Sequence, residues 1–176
     1  MAGLLHPQLR PFEINPQTGE PYLRLAPPLS NIIITPPRLS DVPSKVEAFN
    51  DPRVYRWVSS PPWPYLPEHA VQWLTVIIEE ANAVWNELVK ASVEEPDAAP
   101  KIVSTCPVRV IREQKEDGSD VPLGDCGFIR CNFDEILDVE EKRKQSEENE
   151  ARPVGDPNII WQIGGTYPSV MTGDQS

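Results

Sequence analysis

The sequence predicts a domain of the α/β or α+β class whose sheet is mainly antiparallel. A long amphipathic helix is indicated from Glu68 to about Glu94, because apolar residues recur there every three or four positions without Gly or Pro. Strands are predicted at 31–35, a run of β-branched residues, and at 102–112, 121–131 and 158–164; an Asp-Gly turn signal at 117–118 joins the second and third of these. A strand, then helices, then three more strands is the order expected for helices packed on one sheet.

A short helix is predicted between the first strand and the long helix. Ser40 or Asp41 can cap its free N–H groups, and Val42, Val46 and Phe49 give it one apolar face. It and the long helix are the two N-terminal helices of the predicted fold.

The domain organisation follows from proline and charge. The 21 prolines among 176 residues are concentrated partly in residues 1–30, which are therefore expected to form an extended arm. Residues 31–165 form the predicted domain, and 166–176 are expected to be a disordered tail. Within the domain, 134–152 is strongly acidic and is interpreted as a solvated insertion or, alternatively, as an acidic docking surface.

Composition excludes several classes of function. With 27 acidic and 16 basic residues, the net charge is −11, which argues against a nucleic-acid partner. The apolar runs are too short for a membrane span, and the N-terminus does not resemble a secretory signal, so we expect no membrane partner and a cytoplasmic location. Three cysteines without a CxxC pair and only two histidines predict neither a metal site nor a Cys–His catalytic pair. The common nucleotide, hydrolase and metalloprotease motifs are also missing.

Several segments nevertheless resemble the GNAT superfamily of N-acetyltransferases, in particular its ribosomal-protein-type branch in a form common in fungi. They are, in chain order, IITPPRLSD at 33–41, NDPRV at 50–54, PPWPY and EHAVQWL between 61 and 74, LGD at 123–125 and WQIG at 161–164. The resemblance implies transfer of an acetyl group from acetyl-CoA to an amine of a protein N-terminus or a small molecule. It also implies a strand whose backbone amide polarises the thioester carbonyl, followed by a glycine-rich loop that binds the diphosphate.

The site residues are assigned through this resemblance. Trp63 and Tyr65 are expected to line the side of the acceptor amine or, alternatively, to pack their loop onto the sheet. Asp51 is expected near the same pocket or, alternatively, in an Asx turn before Pro52. Ile163 and Gly164 would present backbone groups to the thioester. Two tryptophans of the long helix, Trp73 and Trp85, are expected in the core.

The sequence departs from the family after Gly164. The diphosphate loop does not follow, and the last basic residue is Arg152. The chain is therefore expected to be a truncated form without the cofactor half of the fold, and inactive alone. The alternative is a non-catalytic interaction module derived from that fold. Either way, strand 158–164 is expected to be an exposed apolar edge through which the chain could associate with itself.

Overall fold

The structure is a computed structural model that describes residues 6–58 and 61–166. Within these ranges, all paired strands are antiparallel, and they form one sheet in chain order. The strands are β1 (Glu13–Ile14), β2 (Pro21–Arg24), β3 (Ile32–Thr35), β4 (Val110–Gln114), β5 (Asp120–Arg130) and β6 (Trp161–Thr166). The α-helices are α1 (Val42–Asn50), α2 (Pro52–Tyr55), α3 (Pro67–Glu94) and α4 (Val139–Glu150). The predicted mixed α and β class with an antiparallel sheet is thus confirmed, and none of the described helices has the length and apolar character needed to cross a membrane.

The centre of the sheet is formed by β3 and β4. Ile33 pairs with Arg112 and Thr35 pairs with Val110, so these four side chains share one face, and all four are buried. This face lies against α1, because Arg112 forms an ion pair with Asp41 at the start of that helix.

The buried Arg112 is the centre of a hydrogen-bonded network of charged side chains. Its Nη2 lies 2.8 and 2.9 Å from the two carboxylate oxygens of Asp41, and its Nε donates to Thr35 Oγ1 at 2.6 Å. Asp120 on β5 accepts from both Arg112 and Arg38. Every buried charge in this network therefore has an opposite charge in contact, which is the condition under which charges are tolerated in an interior.

Helix α3 buries the apolar stripe that its periodicity predicts. The buried residues of the stripe are Ala70, Leu74, Ile77, Ala81, Val84 and Leu88. Its first half packs on α1, and its second half packs on the N-terminal segment, where Leu9 joins Val84 and Leu88 in a small apolar core. The expectation that Trp73 is a core residue is wrong, because its side chain is 46% exposed. Trp85 is partly buried and packs against this core.

The proline-rich N-terminal residues are joined to the sheet. From His6 onwards they contain a 3-10 turn (Pro7–Leu9) and the strands β1 and β2, and β2 pairs with β3. The Gln8 side chain donates to the main-chain carbonyl of Glu95, which ties this segment to the end of α3.

Two predicted strands begin later than expected. The segment 102–109 lies outside any strand and β4 starts at Val110, since Pro107 has no N–H for a ladder. The last strand starts at Trp161, because Asp156 accepts a hydrogen bond from the backbone N–H of Asn158 and holds that segment in a turn.

The acidic segment 134–152 contains the exposed helix α4. Asp138 caps it by accepting from the backbone N–H of Glu141, and Arg143 pairs with Glu140 and Glu147 along its surface. Of the predicted tail 166–176, the structure describes only the backbone of Thr166, which ends β6, and residues 167–176 lie outside the described residues.

Candidate functional site

A buried lysine and an aspartate form the charged centre of the candidate site. Lys45 projects from α1 and its Nζ lies 2.5 Å from Oδ2 of Asp125 on β5, with both side chains largely buried. The ammonium also lies 5.8 Å from the centroid of the Phe49 ring, one helical turn further along α1. Helix α1 is therefore fixed to β5 by a contact between opposite charges that solvent screens poorly.

Tyr65 closes this centre from the loop that precedes α3. Its backbone N–H donates to Asn50 Oδ1 at 3.0 Å, and Asn50 Nδ2 donates back to the Tyr65 carbonyl at 2.7 Å. The ring packs on Phe49 at 4.7 Å between centroids and is only 5% exposed. Burial, and then the negative charge of Asp125, raise the pKa of Tyr65 above its ordinary value of 10.0, so its hydroxyl stays a hydrogen-bond donor beyond the pH at which an exposed tyrosine ionises.

The structure separates Trp63 from Tyr65. Trp63 is 69% exposed and packs against Tyr55 of α2, with 5.7 Å between ring centroids. Tyr65 therefore lies at the inner wall of the site, whereas Trp63 belongs to an aromatic surface outside it.

Asp51 has a local role at the start of α2. Its Oδ1 accepts from the Arg53 backbone N–H at 2.8 Å, which is the hydrogen bond of an Asx turn, and its Oδ2 pairs with the Arg53 guanidinium at 2.9 Å. The same residues line a shallow depression beside Glu47 and Asn50. The carboxylate thus stabilises the turn that leads into the loop carrying Trp63.

Ile163 and Gly164 lie on β6, at the edge of the described sheet. Ile163 pairs with Phe128 and is 70% exposed, whereas Gly164 pairs with Gly127 of β5. A Cβ built at Gly164 would meet no atom within 4 Å, so the space above this residue is open. In the described ranges β6 has a neighbouring strand on one side only.

Strand β5 connects the two parts of the candidate site. Asp125 lies two residues before Gly127, so both residues belong to the same face of the sheet, and Gly127 is the partner of Gly164. The charged centre at Lys45 and the open space above Gly164 therefore lie along one face.

Sequence reasoning missed Lys45 and did not single out Asp125 as a site residue. A signal for Lys45 is present, because it stands four residues before Phe49 on the face of α1 that turns inwards, and the structure buries Lys45 and Ala48 there. Asp125 has no comparable signal in a chain with 27 acidic residues.

Cys106 and Cys126 do not supply an activated nucleophile. Burial raises the pKa of Cys106 and of Cys126 above the ordinary value of 9.0, so both are thiols at neutral pH. Among the described residues, His, Cys, Asp and Glu side chains do not gather in groups of three that could hold a metal ion. No family model, curated protein or solved structure gives a significant match to this chain.

Proposed function

We propose that this chain is a GNAT-type domain whose chemistry is transfer of an acetyl group from acetyl-CoA to an amine. The observation that carries the proposal is the order of elements around the site. β3 is followed by the helices α1 to α3 and then by the antiparallel strands β4, β5 and β6, with β6 at the edge. This agrees with the first strand, two main helices and next three strands that the sequence resemblance implies.

The acceptor amine is assigned to the helix side of the sheet. Tyr65 offers a protonated hydroxyl there, held by the pair of hydrogen bonds between its backbone and Asn50. Lys45 and Asp125 neutralise each other and fix α1 on β5, so that the acceptor would meet a wall of defined shape. In this proposal Trp63 contributes to the outer surface that an incoming protein or small molecule would contact.

The acyl donor is assigned to the edge strand β6. Acetyl-CoA would supply an activated thioester on an extended arm that carries amide groups. An edge strand with free backbone groups is suited to such an arm, since it can pair with it as with an added strand. The open space at Gly164 allows close approach of the acyl carbonyl, and a backbone N–H there could stabilise negative charge on its oxygen.

Calorimetric titration of the purified full chain with acetyl-CoA tests the proposal, with desulfo-CoA as a second ligand. Micromolar binding of both supports it and would be followed by a screen of amine acceptors. Absence of heat at millimolar ligand would overturn it for this chain.

A matched pair of variants on β6 locates the binding. Gly164→Leu fills the open space on the helix side, and we expect it to weaken acetyl-CoA binding by about tenfold or more, the equivalent of one good contact. Ile163→Ala changes the neighbouring residue, whose side chain points to the opposite face, and should leave the affinity unchanged. Equal effects of both variants would contradict the assignment to Gly164.

One observation favours the alternative, a non-catalytic interaction module. Three large apolar side chains on one face of the β5–β6 end are exposed, as expected for a surface that pairs with another chain; they are Phe128, Trp161 and Ile163. Such a module requires no acetyl-CoA. Concentration-dependent self-association in sedimentation velocity, together with no response to acetyl-CoA, would favour it.

A further inference from the structure

Arg109, the residue before β4, has a backbone fixed on both sides. Its N–H donates to the Thr35 carbonyl at 2.9 Å, and its own carbonyl accepts from the Cys126 N–H at 2.8 Å. Its guanidinium carbon lies 5.9 Å from the centroid of the Trp73 ring on α3. The side chain is thus held between the sheet and the half-exposed indole of Trp73.

The guanidinium has an unsatisfied hydrogen-bond donor. The Nε of Arg109 is buried and has no hydrogen-bond partner in the part of the chain that the structure describes. A buried donor without an acceptor is costly, and the cost is larger for a charged group. An acceptor on a molecule outside the chain would give this nitrogen its missing hydrogen bond, and this would explain why it is buried.

Two other arginines show what the missing acceptor resembles. Arg38 directs its Nε and Nη2 to the two carboxylate oxygens of Glu20, at 3.0 and 2.7 Å. Arg53 does the same with Asp51, at 3.1 and 2.9 Å. The forked edge of a guanidinium matches a carboxylate in this way, and Arg109 has the same edge without a carboxylate.

Two glycines lie beside Arg109, and one of them, Gly164, leaves open space. A Cβ added at Gly127 would lie 2.9 Å from Arg109 Nη2, so the guanidinium lies where a side chain at this position would have to be. Gly164 is the cross-strand partner of Gly127, and the space above it is open. A ligand resting on Gly164 would therefore lie next to the guanidinium.

The charge at this position favours a monoanion. Arg109 brings one positive charge, the nearby carboxylate of Asp125 is paired with Lys45, and the nearby thiols of Cys106 and Cys126 are uncharged at neutral pH because burial raises their pKa. A planar carboxylate matches one guanidinium in charge and shape, whereas a phosphate dianion would be only half neutralised.

We propose that Arg109, Trp73, Gly127 and Gly164 form a binding site for a carboxylate attached to a flat apolar group. The carboxylate accepts from the guanidinium, and the apolar group rests on the open backbone at Gly164, beside the guanidinium. Because Nε has no exposed surface in this structure, the carboxylate can reach its hydrogen only after the half-exposed indole of Trp73 has moved outwards. This site shares the open space at Gly164 with the proposed acyl position, but it rests on Arg109 and Trp73 and does not require acetyl transfer.

The test is an NMR titration of the ¹⁵N-labelled full chain that follows the arginine Nε–Hε resonances. The probes are benzoate, its neutral isostere benzamide, and inorganic phosphate. We expect benzoate to shift the Arg109 resonance with saturation in the millimolar range, and benzamide and phosphate to leave it in place. An equal shift with benzamide, a larger shift with phosphate, or no shift with benzoate would each overturn the proposal.

Variants decide whether the guanidinium and the glycine floor are responsible. Arg109→Gln should weaken benzoate binding at least tenfold, as should Gly127→Ala, whose methyl group displaces the flexible end of Arg109. Arg152→Gln is the matched control, because the Nε of Arg152 is also buried without a hydrogen-bond partner among the described residues, yet it lies beside Asp156. For these variants, binding is followed through the indole N–H resonance of Trp73. Unchanged binding in Arg109→Gln, or equal loss in Arg152→Gln, would contradict the assignment.

Discussion

The two ends of the sheet differ in how many of their polar and apolar groups have partners within the chain. At β3 and β4 the face towards the helices is closed, and even the guanidinium of Arg112 is only 2% exposed, with carboxylates and a hydroxyl around it. At β5 and β6 the helix face has open space above Gly164, and on the opposite face the side chains of Phe128 and Ile163 are more than half exposed. Arg109, which precedes β4 and lies beside Gly127 of β5, has a buried nitrogen without an acceptor among the described residues. The closed end contributes stability, whereas the open end has groups that a ligand or partner could satisfy.

The largest effect is expected at the closed end. Arg112→Ala leaves the buried carboxylate of Asp41 without its cation, and we expect the free energy of unfolding to fall by about 3–5 kcal/mol. Urea denaturation followed by circular dichroism measures this. Arg143→Gln removes an arginine whose ion pairs are exposed on α4, and it should leave the midpoint unchanged. Similar midpoints for the two variants would mean that the network does not hold the closed end together.

A smaller loss is expected where the closed end meets the site. Lys45→Met removes the ammonium that neutralises Asp125, and we expect a loss of about 2–3 kcal/mol, which is less than for Arg112 because the aspartate retains some contact with water. The same denaturation experiment applies, with the exposed Lys90→Met as control. Equal stability of the two lysine variants would contradict a structural role for the Lys45–Asp125 pair.

The sequence predicts the closed end better than the open end. The stripe of α3 and the strand β3 are visible in the sequence, since burial of apolar residues at a regular spacing is a local signal. The contacts of Arg112 with Asp41, and of Lys45 with Asp125, join residues more than 70 positions apart. Such pairs depend on strand register, and one sequence does not reveal the register when many acidic residues could each be the partner of a given cation.

The candidate site was predicted only in part for a related reason. The sequence places Trp63 and Tyr65 together in one aromatic loop, but the hydrogen bonds between Asn50 and the Tyr65 backbone hold Tyr65 inwards while Trp63 remains on the surface. Trp73 fits the apolar period of α3 but lies at the edge of the buried stripe, where its neighbour is Arg109 and not an apolar residue. Periodicity identifies the face of a helix but not which marginal residues the neighbouring strands cover.

At the open end, substitution should change association rather than stability. Ile163→Lys places a charge on the exposed face of β6, and we expect the free energy of unfolding to change by less than about 0.5 kcal/mol. Self-association through β6, measured by sedimentation velocity, should decrease, because a lysine on an edge strand opposes pairing with another chain. Leu137→Lys is the control, since Leu137 is exposed outside the sheet. Equal self-association of the two variants would show that β6 is not the surface through which the chain associates.

The smallest expected effect concerns pH, at the boundary between the two ends, where Cys106 and Cys126 are partly buried. Burial raises the pKa of both thiols above 9.0, so the folded chain retains these protons at a pH where the unfolded chain loses them. Their contribution to stability is therefore complete below pH 9.0 and is lost as the pH rises through the higher pKa of the folded state. The parent chain should lose stability between pH 9.0 and 10.0, and any contribution of Tyr22 and Tyr65, whose pKa values burial also raises, is common to parent and variant. The double variant Cys106→Ser and Cys126→Ser lacks the titrating groups and should lose less over the same interval, in urea denaturation at a series of pH values. Parallel curves of stability against pH for parent and variant would show that burial does not protect these thiols. The closely packed part of the sheet would then not extend to Cys126 on β5.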